Sequence, residues 1–588
     1  MSVAAPAGPA TATGRADGPR IRLSRARAAA LENAVLLGLV LGIAAAARWP
    51  SLWLIPTFTD ETIEVKLAYD IAAGRAAPLT NVDPYIGALW NWVLALGFWT
   101  VGVNPWLPRL LVFVCGVATV AAAWWLGRVV AGRIGGLVAA LFMAGCSTHV
   151  LVNSHVAWSH ATTPLWTTLG FACLLKALGG APLSSVGAMR SVGAMRSVGA
   201  MRSVGAMRSV GAMRSVGAMN RAPTRTNLVR AQFIAPPSGR WLVGAGFFLG
   251  LGIQTHVTAV LLLPGVALAI LLQRPGLIRT RWAVFGILAF CIATANLIAF
   301  NVMTAGGSLR GGQAVLSDYT GQEDGVDAGT YGENLGRLTL GTAWVLSGAV
   351  EKRRFVGETL LQPLSLGYLA LAVGSVLWAA RRGRWLPLLV TVPYLLVLPV
   401  LQGKYEPVLN GRYVMPVLPL VFASVGLVVE DGLALLRSRW PRHFALAGGV
   451  LLGLTALVAL YPLAPLTAYE RSARTNHAIL AAHEAVLAAR EPDEVVLVDY
   501  GLDGVFFMAA GSAFKSMELL LGGTGVPYTV IDARQSSLEN ALSGQSSRLA
   551  VLSSEKVRVL ARSFTLTPLM GGERDGPGFG VYRVSARP

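Results

Sequence analysis

Two adjacent carboxylates, Asp60 and Glu61, stand in the stretch PTFTDETIEV, shortly after the first long apolar run. Histidines follow: His155 and His160 in NSHVAWSH, then His256 in GIQTHVTAV. A third polar cluster, Lys404, Tyr405, Glu406 and Arg412, lies in GKYEPVLNGRYVMPVLP. A carboxylate can take the proton of an acceptor hydroxyl, and a cation can stabilise a departing phosphate. Beside a membrane, that combination is what transfer from a lipid phosphate requires. Each residue also has a plainer reading. Adjacent loop acids are usually solvated, a histidine at a helix end commonly caps it, and an arginine beside a span anchors it at the interface. No spacing matches a strong zinc signature.

The elements that must carry these groups are apolar. Of the 588 residues 54% are hydrophobic and 13% charged, with a mean hydropathy of +0.57; a soluble protein carries about a quarter charged residues. Runs long enough to span a bilayer recur, which predicts a polytopic α-helical membrane protein. The net charge of +19 does not mark a nucleic-acid binder. The basic residues form short clusters between apolar runs, the pattern of cytoplasmic loops. Cys115, Cys146, Cys173 and Cys291 lie within or beside apolar runs and read as small buried hydrophobes.

Arginine placement orients the spans. The first, about Ala34 to Arg48, leaves the cytoplasm and puts Asp60 and Glu61 in an outer loop at about 50–107. Within that loop GALWNWVLALGFWTVGV is short and holds Trp90, Trp92 and Trp99, so it reads as an interfacial helix. Spans then alternate: Arg109–Val129, Gly135–Val152, Thr162–Leu178, Trp241–Thr255, Thr258–Leu272, Trp282–Met303, Leu364–Ala380, Leu386–Leu401, Tyr413–Leu436 and Ala445–Leu463. This parity gives about eleven spans, a cytoplasmic N-terminus, an extracytoplasmic C-terminus and plasma-membrane localisation. A large outer loop falls at 304–363.

Three segments lie outside that transmembrane domain of 31–468. Residues 1–30 read as a disordered basic cytoplasmic tail. A cleaved signal peptide ending near Ala44–Ala47 competes, but the long tail and the multispan continuation argue against it. Between two spans, in the cytoplasmic loop 180–239, SVGAMR repeats in tandem from Ser185 to Asn220. Glycine in every unit opposes a stable helix; the repeat reads as a tolerated insertion, with contact to anionic headgroups as its functional alternative. Residues 469–588 form a small extracytoplasmic α/β domain: NHAILAAHEAVLAAR is helical, and EVVLVDY, YTVIDA, RLAVLSS and FGVYRVS are strand-like. GLDG after the first strand is too weak to mark a nucleotide site.

The segments FTDETIEVKLAYDIAAG, NPWLPRLLVFVCGVATVAAAWWLGRVVAG, GFFLGLGIQTHVTAVLLLPG and GRYVMPVLPLVFA, in that order, resemble the C-type glycosyltransferases of family 39. That family includes protein mannosyltransferases and the enzymes that add aminoarabinose to lipid A. The resemblance implies a GT-C-like fold, a polyprenyl-phosphate-linked sugar as donor, and an extracytoplasmic protein, lipid or glycan acceptor. It implies direct displacement with inversion, Asp60 as general base supported by Glu61, and a basic group at the departing phosphate. His155, His160, His256, Lys404, Tyr405 and Arg412 are the candidates for donor phosphate and substrate. Family members often carry an Asp near the position of His160 and a Lys near that of His256. A divalent metal, on Asp60 if anywhere, therefore stands beside a metal-independent mechanism. A lipid or glycolipid transporter or flippase competes, yet the polar cluster lies at the outer surface rather than mid-bilayer and the halves do not repeat. A noncatalytic membrane scaffold for the outer domain is the third reading.

Overall fold

The structure is a computed structural model that describes residues 19–50, 52, 59–104, 106–179, 237–320, 327–348, 363–401, 410–464, 466, 477–504, 506–507, 511–531, 547–570 and 578–587. The SVGAMR tandem lies outside them. The first helix, α1 (Pro19–Arg48), starts earlier than its apolar run. Residues 19–30, expected as disordered tail, are helical. Proline at the first helical position is pre-set for the turn, and the Ala, Leu and Arg that follow are strong helix formers. Two shorter helices come next, α2 (Thr59–Ala72) and α3 (Leu89–Val101). α3 carries the three tryptophans expected at an interface, and its 13 residues reach only about 20 Å, less than a bilayer core. It rests on the chain around α2 through Trp99 Nε1 to the Ala72 carbonyl at 2.8 Å and Trp92 Nε1 to Pro78 at 3.2 Å.

The 39-residue α4 (Leu107–Gly145) is a helical hairpin. Gly132, at φ 84° and ψ −159°, reverses the chain there; that region is open only to glycine. The arms touch backbone to backbone, so a Cβ on Gly127 would lie 2.4 Å from the Gly135 carbonyl oxygen. The hairpin separates the two spans expected at Arg109–Val129 and Gly135–Val152. A short helix α5 (Ser147–Leu151) and then α6 (Thr163–Leu178) follow.

From residue 237 on, the described helices are α7 (Trp241–Thr255), α8 (Leu263–Gln273), α9 (Arg281–Ala293) and α10 (Ala295–Met303). The expected span Trp282–Met303 is not one rod: α9 and α10 are bent by 67°. At the bend Thr294 Oγ1 donates to the Phe290 carbonyl at 2.9 Å, and Gln254 Nε2 donates to Ala293 at 2.7 Å. A side-chain amide that satisfies a freed carbonyl is a recognised cause of such kinks. The expected outer loop 304–363 contains α11 (Gly307–Thr320) and α12 (Ala328–Ser347), and α12 buries its last turns. The bundle closes with α13 (Pro363–Arg381), α14 (Leu386–Leu401), α15 (Leu418–Arg439) and α16 (Phe444–Leu460).

Close contacts fix the helix directions. Gly170 faces Leu249 and Gly244 faces Cys173, so α6 and α7 are antiparallel; Gly246 meets Gly286 and Gly250 meets Ala293, so α7 and α9 run together. Gly426 meets Gly135, and the Phe422 ring lies 5.5 Å from that of Phe142, so α15 opposes the second arm of α4. Gly132, Arg274, Arg382 and Arg437 therefore share one end of the bundle, and His160, His256 and Tyr413 share the other. Among the described residues four helices are long and apolar enough to cross a membrane, or five with the bent pair; the other apolar helices are shorter. The hairpin α4 counts once in that tally, and the expected spans Trp241–Thr255, Thr258–Leu272, Leu386–Leu401 and Ala445–Leu463 fall on the shorter apolar helices.

The C-terminal part begins with α17 (His477–Ala489) and holds β1 (Val496–Asp499), β2 (Phe506–Phe507), β3 (Gly511–Ser512), α18 (Ala513–Gly523), β4 (Tyr528–Ile531), β5 (Ser547–Ser553), α19 (Ser554–Leu560), β6 (Phe564–Met570) and β7 (Phe579–Ala586). The main sheet runs β4-β1-β5-β7-β6, with β1 parallel to β4 and β5, and β7 antiparallel to β5 and β6. β1, buried throughout, reads as the continuous apolar run of a central parallel strand. The four runs read as strands in the sequence form β1, β4, β5 and β7; β6 and α18 had no such reading. α18 packs on α2, which seats the domain at the His160 end.

Candidate active site

At that end, three helix interruptions bring side chains together. The turn Ser159–Thr162 carries His160. It is held from outside: Ser159 donates its N–H to Glu64 Oε2 at 2.7 Å and its hydroxyl to Glu64 Oε1 at 3.0 Å. Trp90 Nε1 donates to the Ala157 carbonyl at 3.1 Å just before it. At the end of α7, His256 is extended, with φ −166° and ψ 136°. Its Nδ1 accepts the Thr258 N–H at 3.2 Å and lies 2.9 Å from the Thr258 hydroxyl. Arg412 and Tyr413 sit on the turn Asn410–Tyr413 that leads into α15, where the Tyr413 carbonyl accepts Tyr394 Oη at 2.5 Å.

The rings form one cluster. His160 and His256 stack with centroids 3.7 Å apart and planes 16° from parallel, and Tyr413 lies 5.5 and 5.7 Å from them. The Arg412 guanidinium sits 4.2 Å over Trp158 and 4.8 Å over Tyr413, and donates to Tyr413 Oη at 3.0 Å. Such cation–π seats fix a guanidinium plane. All these side chains are buried. Neither ring nitrogen of His160 has a hydrogen-bond partner among the described residues. Both nitrogens of such a ring are available to a ligand.

Burial holds both imidazoles neutral. It lowers His160 well below the usual range, with His256 and Arg412 adding to the effect, and it lowers His256 to about 3, again with Arg412 adding. Because His256 Nδ1 accepts a backbone N–H, its single proton is on Nε2, which can donate. The cluster thus offers one fixed cation, one neutral N–H donor and one buried ring with both nitrogens open. That combination suits an anion with several oxygens.

Other residues singled out in the sequence lie elsewhere. Glu61 is buried in a two-pronged ion pair with Arg109, Nε to Oε1 and Nη2 to Oε2 each at 3.0 Å, while Arg109 Nη1 donates to Leu52 at 3.0 Å. Both Glu61 oxygens hold the start of α4. His155 does not join the ring cluster either. Its Nε2 lies 2.6 Å from the Arg48 carbonyl and its Nδ1 faces the Val150 carbonyl, so it fastens the loop to the end of α1. Asp60 is the second residue of α2, and its side chain lies outside the described residues, as do Lys404, Tyr405 and Glu406.

Four residues of this end went unassigned in the sequence. Trp158 and Tyr413 stand inside the stretches that were singled out, but their apolar rings gave no chemical signal. Glu64 lies one turn beyond Asp60, and Arg48 ends the first apolar run. Arg48, fully buried, donates Nε to Ser154 Oγ at 3.0 Å, Nη1 to the Ala44 and Ala144 carbonyls at 2.9 and 3.2 Å, and Nη2 to Met143 at 3.2 Å; His149 Nδ1 lies 2.8 Å from Nη2. A cation on the last carbonyls of α4 opposes the negative end of that helix.

The stacked histidines do not form a metal site. Imidazoles stacked face to face aim their lone pairs along separate planes rather than at one ion, and among the described residues no three His, Cys, Asp or Glu side chains group as ligands.

No protein-family model matches the sequence, and no curated protein matches it. In three dimensions the chain is similar to ArnT from Cupriavidus metallidurans bound to undecaprenyl phosphate, over 94% of this chain and 97% of that one, with a TM-score of 0.52 at 12% identity. ArnT in the apo state aligns over 95% and 98%, also at 0.52 and 12%. The archaeal oligosaccharyltransferase AglB from Archaeoglobus fulgidus, in complex with an inhibitory peptide and a dolichol-phosphate, aligns over 88% of this chain and 69% of its own at a TM-score of 0.49 and 13% identity. The chain has the GT-C fold. At 12% identity the likeness to ArnT speaks for architecture, and the chemistry must come from the site. Within the GT-C fold, the stacked histidines and Arg412 occupy the end of the bundle opposite Gly132, Arg274 and Arg437.

Proposed function

We propose that the protein is a membrane glycosyltransferase that moves a sugar from a polyprenyl-phosphate donor to an extracytoplasmic acceptor, with inversion at the anomeric carbon. The observation that carries this reading is the buried stack of His160 on His256 beside the Arg412 guanidinium. An anion-binding group of this kind, in an apolar bundle with the fold of a protein that binds undecaprenyl phosphate, suits a lipid-linked phosphate. The same reading takes the apolar runs as about eleven spans, with the His160 end extracytoplasmic and the arginine-rich end in the cytoplasm.

The chemistry is one displacement. The acceptor oxygen forms a bond to the anomeric carbon as the bond from that carbon to the phosphate oxygen breaks, and the electron pair leaves with the phosphate. Asp60 takes the acceptor proton. Arg412 and the His256 Nε2–H meet the charge that develops on the leaving phosphate, from positions fixed before the reaction starts. A single displacement without a covalent intermediate inverts the carbon.

The test is sugar transfer from synthetic undecaprenyl-phosphate sugars by the purified protein in nanodiscs. Asp60→Asn is expected to lower turnover by about 10²–10⁴-fold and Arg412→Gln by about 10²–10³-fold, with a product of inverted configuration by NMR. Full transfer by Asp60→Asn removes the base, and a retained configuration removes the single displacement.

A further inference from the structure

We infer that Glu64 is a positioning residue for His160, acting through Ser159; this rests on the reading of His160 as a contact of the donor phosphate. Glu64 is buried, and its two carboxylate oxygens divide between the two donors of one residue, the Ser159 N–H and hydroxyl. Its backbone is pinned as well, since Asn91 Nδ2 donates to the Glu64 carbonyl at 2.9 Å. Asn81 Nδ2 donates to the Ser159 hydroxyl at 3.4 Å.

The consequence falls on the next residue. His160 has no hydrogen bond of its own among the described residues to fix its ring. Its orientation comes from the stack on His256 and from the backbone of the turn Ser159–Thr162. That turn is too short to hold itself, with its four residues and a poor hydrogen-bond geometry. A charged acceptor on its first N–H supplies the missing constraint, as a carboxylate does at a helix start. Glu64 therefore keeps His160 in place with both ring nitrogens free for ligand, where a direct hydrogen bond would occupy one. The same helix carries Asp60 one turn earlier, so a single rigid element sets the proposed base and the His160 turn in register.

The test separates position from chemistry. In protein labelled with ¹⁵N-histidine, His160 ring resonances are assigned by their loss in His160→Gln and bear the ring-current shift of the stack. Glu64→Ala is expected to move the His160 and His256 signals toward unstacked values. It is also expected to weaken undecaprenyl phosphate binding about 10–100-fold, the loss of one charge-assisted contact. Glu64→Gln, whose amide can accept the N–H and donate to the hydroxyl, is expected to restore both. Ser159→Ala gives an intermediate shift and covers the case in which Glu64→Ala does not fold. Combined with His160→Gln, Glu64→Ala should add no further loss of binding. Unchanged His160 signals in both Glu64→Ala and Ser159→Ala overturn the inference. Signals that move while undecaprenyl phosphate binding stays at the wild-type level leave Glu64 as the holder of the turn and remove the phosphate reading of His160.

Discussion

Glu61 and Arg109 meet as the third residues of their helices, α2 and α4, and the buried pair locks the two helix starts together. A carboxylate in the first turn of α2 also faces the positive end of that helix. The pair lies at the root of the element that carries Asp60 and Glu64, so its effect on chemistry runs through position.

Breaking it should cost folding before it costs turnover. Glu61→Ala removes both carboxylate contacts of the buried Arg109 guanidinium, a loss of about 3–5 kcal/mol. The expected outcome is a sharp fall in folded yield and in apparent unfolding temperature, measured in detergent by fluorescence-detected size exclusion. Glu61→Ala with Arg109→Leu should recover much of the yield, because both members of the buried pair are then gone. A stable but inactive Glu61→Ala would return Glu61 to the chemistry.

Arg48 makes a similar prediction with no acid involved. Its donors are taken by carbonyls, a hydroxyl and a histidine nitrogen, all buried. Arg48→Lys keeps the charge but loses the fork that reaches α1, α4 and Ser154 together. It should destabilise by roughly 2–4 kcal/mol, since several buried acceptors lose their partner at once. Thermal unfolding of Arg48→Lys near that of wild type would show that the charge alone suffices.

Acid should destabilise the protein through the stacked histidines. Burial lowers His256 from 6.5 to about 3, and lowers His160 well below its ordinary value. Above pH 6.5 both folded and unfolded chains are neutral at these rings, and the stabilisation is fully present. As pH falls below 6.5 the unfolded chain takes up protons that the folded rings refuse, so stability falls toward pH 3, by up to about 1.4 kcal/mol per pH unit for each ring. The apparent unfolding temperature should drop from pH 7 to 5, and less steeply in His256→Gln. An equal slope in that variant would place the acid sensitivity elsewhere.

How legible the site was in the sequence follows from what each residue shows without its neighbours. His160, His256 and Arg412 stood out as rare polar groups at the ends of apolar runs, and the alternation of arginines placed them at one end. The helix directions fixed by Gly170, Gly246 and Gly426 agree with that placement. Glu61 stood out for the same reason, but nothing in PTFTDETIEV reveals that Arg109, 48 residues on, closes on it. Trp158 and Tyr413 were invisible as site residues, since an aromatic in an apolar chain gains meaning only when a guanidinium lies over it. The bend at Thr294 was equally hidden. It depends on Gln254 from another helix reaching the Ala293 carbonyl, a contact with no local signal.

The last prediction asks whether Arg412 works as a charge or as a plane. Its guanidinium is sandwiched against Trp158 and Tyr413 at 4.2 and 4.8 Å, so its orientation is set before any ligand arrives. Arg412→Lys keeps the positive charge but places a mobile, strongly hydrated ammonium where a fixed fork had been. If preorganisation matters, Arg412→Lys should weaken undecaprenyl phosphate binding by about tenfold, comparable to one lost cation–π and hydrogen-bond contact. Trp158→Leu, which leaves the arginine but removes one wall, should then fall part of the way toward it. Binding measured against salt separates the two cases. A pure charge effect leaves Arg412→Lys close to wild type at every ionic strength, whereas loss of the held geometry leaves a deficit that added salt does not change, because screening acts on the charge that both side chains share.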